Sequence, residues 1–134
     1  MSDEIKYPGR FKQRIYFKGA RNKANKGFTD LDVFQEIGNK MFTFIEAYKE
    51  GVDKEELGQI LAMQRVCDCI RDAGKHAMLI KATHNVPVDE PVYLTETRVS
   101  EFYYDGEWRT IDTMPFTDVI DTYHFWIFGR PFYE

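Results

Sequence analysis

The chain has 134 residues, 43% of them hydrophobic and 30% charged, with a formal net charge of −4; this length suits one domain, 1–134, and this balance excludes wholesale disorder. The charge is unevenly spread, because residues 1–27 carry eight Lys or Arg against two acids and leave ten basic and twenty acidic residues in the remainder. A division of that kind steers partners of either sign, or holds copies together with the basic part of one against the acidic part of another.

The opening MSDEIKYPGR lacks the apolar core of a signal peptide, and no apolar run approaches the ~20 residues of a membrane span. The expectation is an unexported chain, placed in the cytoplasm or within a macromolecular assembly, with no membrane partner. Cys67 and Cys69 are the two cysteines. On a helix, positions i and i+2 point apart, so they neither bridge nor grip one metal, and free thiols fit a reducing compartment.

In chain order, Arg10, Lys12, Arg14 and Lys18 alternate with Phe11, Gln13, Ile15 and Phe17 over much of the first segment, which predicts an N-terminal strand. Residues 1–9 before it and 19–27 after it read as mobile, the latter with Gly at both ends and three more cations, Arg21, Lys23 and Lys26. From Thr29 and Asp30 the period changes. Phe34, Gly38, Met41, Ile45 and Tyr48 recur at helical spacing and predict an amphipathic helix ending at Gly51. Asp53 and Glu56 form a capping box for a second helix with the stripe Ile60, Met63, Cys67 and Ile70, stopping at Gly74. The short link makes the pair an antiparallel helix hairpin.

A strand is expected from Met78 to Thr83, then a loop bracketed by Pro87 and Pro91, then a β-rich run from Val92 to Tyr104. Asp105 and Gly106 predict a two-residue hairpin turn, with EWRTI returning and Tyr103 opposite Trp108, Phe102 opposite Arg109. MPFTDVID reads as a loop and TYHFWIF as a final strand. The fold class expected is therefore α+β: an N-terminal strand, an antiparallel helix hairpin, and a three- to four-stranded, mainly antiparallel sheet.

The candidate functional residues fall into three groups. Arg10, Lys12, Arg14, Lys18, Arg21, Lys23 and Lys26 form a cationic block without an acid, suited to an acidic protein surface or to nucleic acid. The tail FWIFGRPFYE crowds aromatic anchors, and Trp126, Phe128, Phe132 and Tyr133 are the expected interface residues. Arg98, Tyr103, Trp108 and Arg109, near Glu96 and Glu101, supply an alternative ligand pocket on the sheet, with an arginine holding an anion.

Metal sites are not expected. Asp68, Asp72 and His76 share a row only if the second helix runs through His76, and Asp118, Asp121 and His124 converge only on a helical turn, whereas their surroundings read as extended. The familiar nucleophile-elbow, phosphate-loop, dinucleotide and zinc-protease motifs are absent, so no catalytic residue and no cofactor is assigned. The reading that follows is a non-enzymatic binding or assembly subunit. Its basic N-terminal segment and aromatic C-terminal tail contact neighbouring subunits, an acidic protein surface or nucleic acid, as in a virion-like assembly or a homo-oligomer. The alternatives are a small ligand-binding domain or enzyme, and an acidic inhibitor of a nucleic-acid-binding protein.

Overall fold

The computed structural model describes residues 33–51, 57–87 and 89–129. They form β1 (Val33–Ile37), β2 (Met41–Lys49), α1 (Leu57–Asp72), β3 (His76–His84), β4 (Arg98–Tyr104), β5 (Glu107–Pro115) and α2 (Phe116–Phe128). The strands lie in chain order in one five-stranded sheet, with β2 and β3 parallel across α1 and the other neighbours antiparallel. The class is α+β.

The order within that class differs from the expected one. Where an N-terminal strand and helix hairpin were expected to precede three or four mainly antiparallel strands, a β-hairpin opens the described chain, a single helix joins a parallel pair, and a second helix ends it. The strand expected at 10–18 and the mobile stretches at 1–9 and 19–27 lie outside the described residues.

The helix expected up to Gly51 is the hairpin β1–β2. Gly38 and Asn39 both take positive φ, 58° and 55°, and the Lys40 N–H donates to the Ile37 carbonyl at 3.1 Å. This is a turn whose twist matches paired strands, and glycine and asparagine reach it with little strain. Helical spacing misleads here because β2 is buried on both sides: Met41 and Ile45 enter one core cluster, Phe44 the other. A strand covered on both faces loses the polar alternation that would mark it.

The second expected helix is present as α1. It stops at Asp72, and Gly74 at φ 83° turns the chain into β3, so His76 lies on a strand and forms no helical row with Asp68 and Asp72. The β4–β5 turn places Asp105 and Gly106 at φ 53° and 82°, and the register pairs Tyr103 with Trp108 and Phe102 with Arg109. β4 begins at Arg98, later than the run from Val92, because Leu94–Glu96 closes a single 3-10 turn. The Thr97 hydroxyl donates to the Leu94 carbonyl at 2.7 Å and secures that turn.

TYHFWIF, expected as a strand, belongs to α2. Its β-branched and aromatic residues favour strands by propensity, but Phe116, Val119 and Tyr123 recur at helical spacing and are buried. Covering the sheet with one apolar stripe outweighs a propensity of tenths of a kcal/mol per residue, since a fully buried large side chain contributes about 1.5–3 kcal/mol. Pro115 precedes the first turn, Asp118 lies within it, and Gly129 caps the end at φ 69°, its N–H donating to the Phe125 carbonyl at 2.7 Å.

The result is three layers. On one face Met41, Ile45, Met78, Ile80, Val99 and Phe102 pack with Phe116, Val119 and Tyr123 of α2. On the other, Phe44, Ala77, Leu79 and Tyr103 pack with Cys67 of α1, flanked by Met63 and Ile70.

Candidate functional site

The outer side of α2 follows from the same helical period that buries its inner side. With Tyr123 at 0% exposure facing the sheet, residue 125 must face away while residue 126 falls on the flank, and Phe125 and Trp126 are 52% and 60% exposed. Asp118 and Asp121 are exposed on the preceding turns. The spacing 118, 121, 125 puts both carboxylates and the Phe125 ring on one continuous side. The surface is thus acidic at its start and aromatic at its end.

The inner side is held by specific contacts. The Tyr123 hydroxyl donates to the Phe42 carbonyl at 3.2 Å, and burial raises its phenol above the usual tyrosine range. His124 is buried, its ring 4.6 Å from that of Phe128, and the Lys40 ammonium sits 5.4 Å from the Phe128 centroid. Of the expected interface residues, Trp126 faces outward, Phe128 folds half-buried over His124, and Phe132 and Tyr133 lie outside the described residues. Sequence reasoning missed Phe125. Its signal was available: once Phe116, Val119 and Tyr123 are read as a stripe, the aromatic two positions after Tyr123 falls on the opposite side.

The alternative ligand set is dispersed. Tyr103 and Trp108 meet beneath α1 with ring centroids 5.5 Å apart. The Tyr103 hydroxyl donates to Asp68 at 2.7 Å, the Trp108 indole N–H donates to Gln64 at 3.1 Å, and the Lys81 ammonium lies 4.5 Å from the Trp108 ring and 3.5 Å from Glu101. Burial first, and the bond to Asp68 second, raise the Tyr103 phenol. Arg109, one residue beyond Trp108, lies on the α2 side of the sheet, where its Nε donates to the Tyr104 carbonyl at 3.2 Å and its guanidinium is 5.8 Å from the Tyr104 ring. Arg98 begins β4 at the opposite end from Tyr104 and donates to the Thr113 carbonyl at 3.1 Å. The four residues line no common surface, and Glu96 is exposed on the 3-10 turn.

Helical geometry does bring Asp118, Asp121 and His124 onto α2, but the carboxylates are exposed while the imidazole is buried. Among the described residues no group of three or more His, Cys, Asp or Glu is placed to hold a metal ion. Cys67 is buried on the inner side of α1 and Cys69 is exposed. Burial, with Asp68 adding to it, pushes the Cys67 thiol up to about 12, the protonated, unreactive form at neutral pH. The cations Arg10, Lys12, Arg14, Lys18, Arg21, Lys23 and Lys26 lie outside the described residues.

Among the described residues no helix is long and apolar enough to cross a membrane. The chain matches no protein family, no curated protein and no solved structure.

Proposed function

We propose that this chain is a non-enzymatic assembly subunit in which the cationic segment 9–27 of one copy lies along the outer side of α2 of another. The observation that carries this reading is the exposed ring of Phe125 continuing a side that begins with Asp118 and Asp121, with the exposed Trp126 ring on its flank. Large amphipathic rings left in water mark a surface that a partner covers. Segment 9–27 interleaves seven Lys or Arg with Phe11, Tyr16 and Phe17, which complements that side in both charge and ring chemistry. Cations over aromatic faces contribute about 0.5–1 kcal/mol each at exposed sites.

Magnitudes favour a two-fold arrangement. A large aromatic side chain presents ~150–250 Å², so exposures of 52% and 60% leave roughly 200 Å² for the pair. Covering it contributes about 5 kcal/mol at ~25 cal/mol per Å². Association costs ~4–15 kcal/mol, so a single contact does not sustain it. A two-fold dimer in which each copy both gives and receives the segment doubles the gain for one association, and self-complementary two-fold contacts are the commonest in homo-oligomers.

The test is solution mass by light scattering. The intact chain should exceed its 15.8 kDa monomer mass, and removal of residues 1–27 or the double change Phe125→Ser, Trp126→Ser should return it to monomer. A monomeric intact chain, or a dimer that survives the truncation, defeats the proposal. Binding of the intact chain to an oligonucleotide with a steep salt dependence, at unchanged monomer mass, would assign the cationic segment to nucleic acid instead.

A further inference from the structure

A second feature lies at the other end of the sheet from the start of β4, away from the outer side of α2. The C-terminal turn of α1, the start of β3 and the β4–β5 turn enclose a cleft of about 220 Å³ lined by Arg71, Lys75, His76, Ala77, Tyr104 and Asp105. The geometry points to this cleft as a binding site for a small phosphate monoester or inorganic phosphate.

The donors of the cleft are held but not spent. Arg71 forms ion pairs with Asp72 at 3.7 Å and Asp105 at 3.9 Å. Both are longer than hydrogen bonds, and among the described residues its guanidinium donates none. A half-exposed planar fork with its N–H groups in hand is the side chain best suited to bidentate contact with phosphate oxygens. Lys75 gives one of its three N–H donors to the Asn39 side-chain carbonyl at 2.6 Å, which fixes the ammonium and leaves two.

His76 and Tyr104 form the floor. Nδ1 of His76 is 2.8 Å from the Tyr104 hydroxyl, and the two rings are parallel within 1°. If Nδ1 accepts, the tyrosine hydroxyl is spent and the imidazole Nε2–H is the donor left over; if Nδ1–H donates, the tyrosine O–H is left over. Either arrangement keeps one donor for a ligand. Asp105 is the opposing group. Its loose pair with Arg71 is the contact a doubly charged ligand displaces, since a dianion offers the same guanidinium more acceptors at hydrogen-bond distance.

Gly106 is part of the arrangement. Its φ of 82° disfavours any side chain, and a Cβ there would run into the Arg71 guanidinium. The absence of that carbon lets the fork lie over the β4–β5 turn. Size sets the ligand class, because pockets for drug-sized molecules run to about 300–1,000 Å³ and this cleft takes a phosphate group with at most a few carbons.

The experiment is a titration of the intact chain at constant ionic strength with inorganic phosphate, glycerol phosphate, sulfate and acetate, followed by the side-chain NMR signals of His76 and Arg71. The expected result is saturable movement of those signals with phosphate, glycerol phosphate and sulfate, and at least tenfold weaker binding of acetate. Arg71→Gln should weaken phosphate binding at least tenfold, Arg71→Lys should restore only part of it, and Arg98→Gln, at the remote end of β4, should leave it unchanged. Gly106→Ala should weaken binding without altering charge. If Arg71→Gln does not fold, Lys75→Gln carries the same expectation. Linear, unsaturated shifts, equal binding of acetate, or equal weakening by Arg98→Gln would each overturn the proposal.

Discussion

Cys67 should make the stability of this fold fall steeply in alkali. The residue is 3% exposed and packs from α1 against Phe44, Ala77, Leu79 and Tyr103. Its thiol is pushed from 9.0 up to about 12, first by loss of water and second by the neighbouring Asp68 carboxylate. A folded-state value above the unfolded one means that the unfolded chain releases the proton first. The stabilisation is therefore complete below about pH 9 and is lost as pH rises toward 12. At 1.36 kcal/mol per unit, the loss is about 1 kcal/mol at pH 10 and about 3 kcal/mol at pH 11. Replacing Cys67 by Ala removes the ionisation and leaves a small void, costing about 1–2 kcal/mol at neutral pH. Urea unfolding of the two proteins between pH 7 and pH 11 should show the native chain more stable at neutrality, the curves meeting near pH 10, and the Ala variant more stable above it. Tyr103 and Tyr104, also raised, lower both curves and cancel in the difference, whereas Tyr123, whose shift includes a minor contribution from Cys67, cancels only in part. A difference that stays constant with pH would refute the reasoning.

Leu79→Ala, at 0% exposure in the layer under α1, should cost about 2–5 kcal/mol in urea unfolding, whereas the Phe125→Ser, Trp126→Ser pair should cost the isolated subunit under 1 kcal/mol. Tyr123→Phe removes the hydroxyl that bonds the Phe42 carbonyl, a part-buried hydrogen bond, for a loss of about 0.5–1.5 kcal/mol by the same measurement. Asp121→Lys should cancel the net negative charge that Asp118 and Asp121 give the outer side of α2 and weaken self-association in light scattering. That effect should shrink as salt rises.

What could be read from residues alone tracks how far each signal was local. The Asp105–Gly106 turn was legible with its register, because two residues at positive φ dictate a two-residue hairpin and the pairing follows. Helix α1 was legible because its single buried side leaves a clean period. The turn at Gly38–Asn39 carried equal information, but the apolar residues of β2 on both faces mimicked a helical stripe and drew the boundary through it. In α2 the reverse occurred: strand-favouring residues hid a period of three and four, since the demand for a cover over Met41, Met78 and Phe102 comes from strands far away in the chain. The exposed rings of α2 were half legible for that reason, with Trp126 expected at the surface, Phe125 missed and Phe128 half-buried. The Arg71–His76 cleft was invisible, since its walls come from two stretches, 71–77 and 104–105, far apart in the chain.

The strand order matches the chain order at every step, yet one step differs in kind. β1–β2 and β4–β5 are closed by turns of two or three residues, which assemble in about 1–10 μs. The parallel β2–β3 pairing cannot begin until all of α1 has been threaded between its members, and only that step makes the two outer ribbons into one object. The barrier to acquiring this shape should sit at the docking of β3 between β2 and β4. In stopped-flow refolding, shortening Leu79 should slow the forward reaction, while loosening either terminal ribbon should chiefly hasten its reversal.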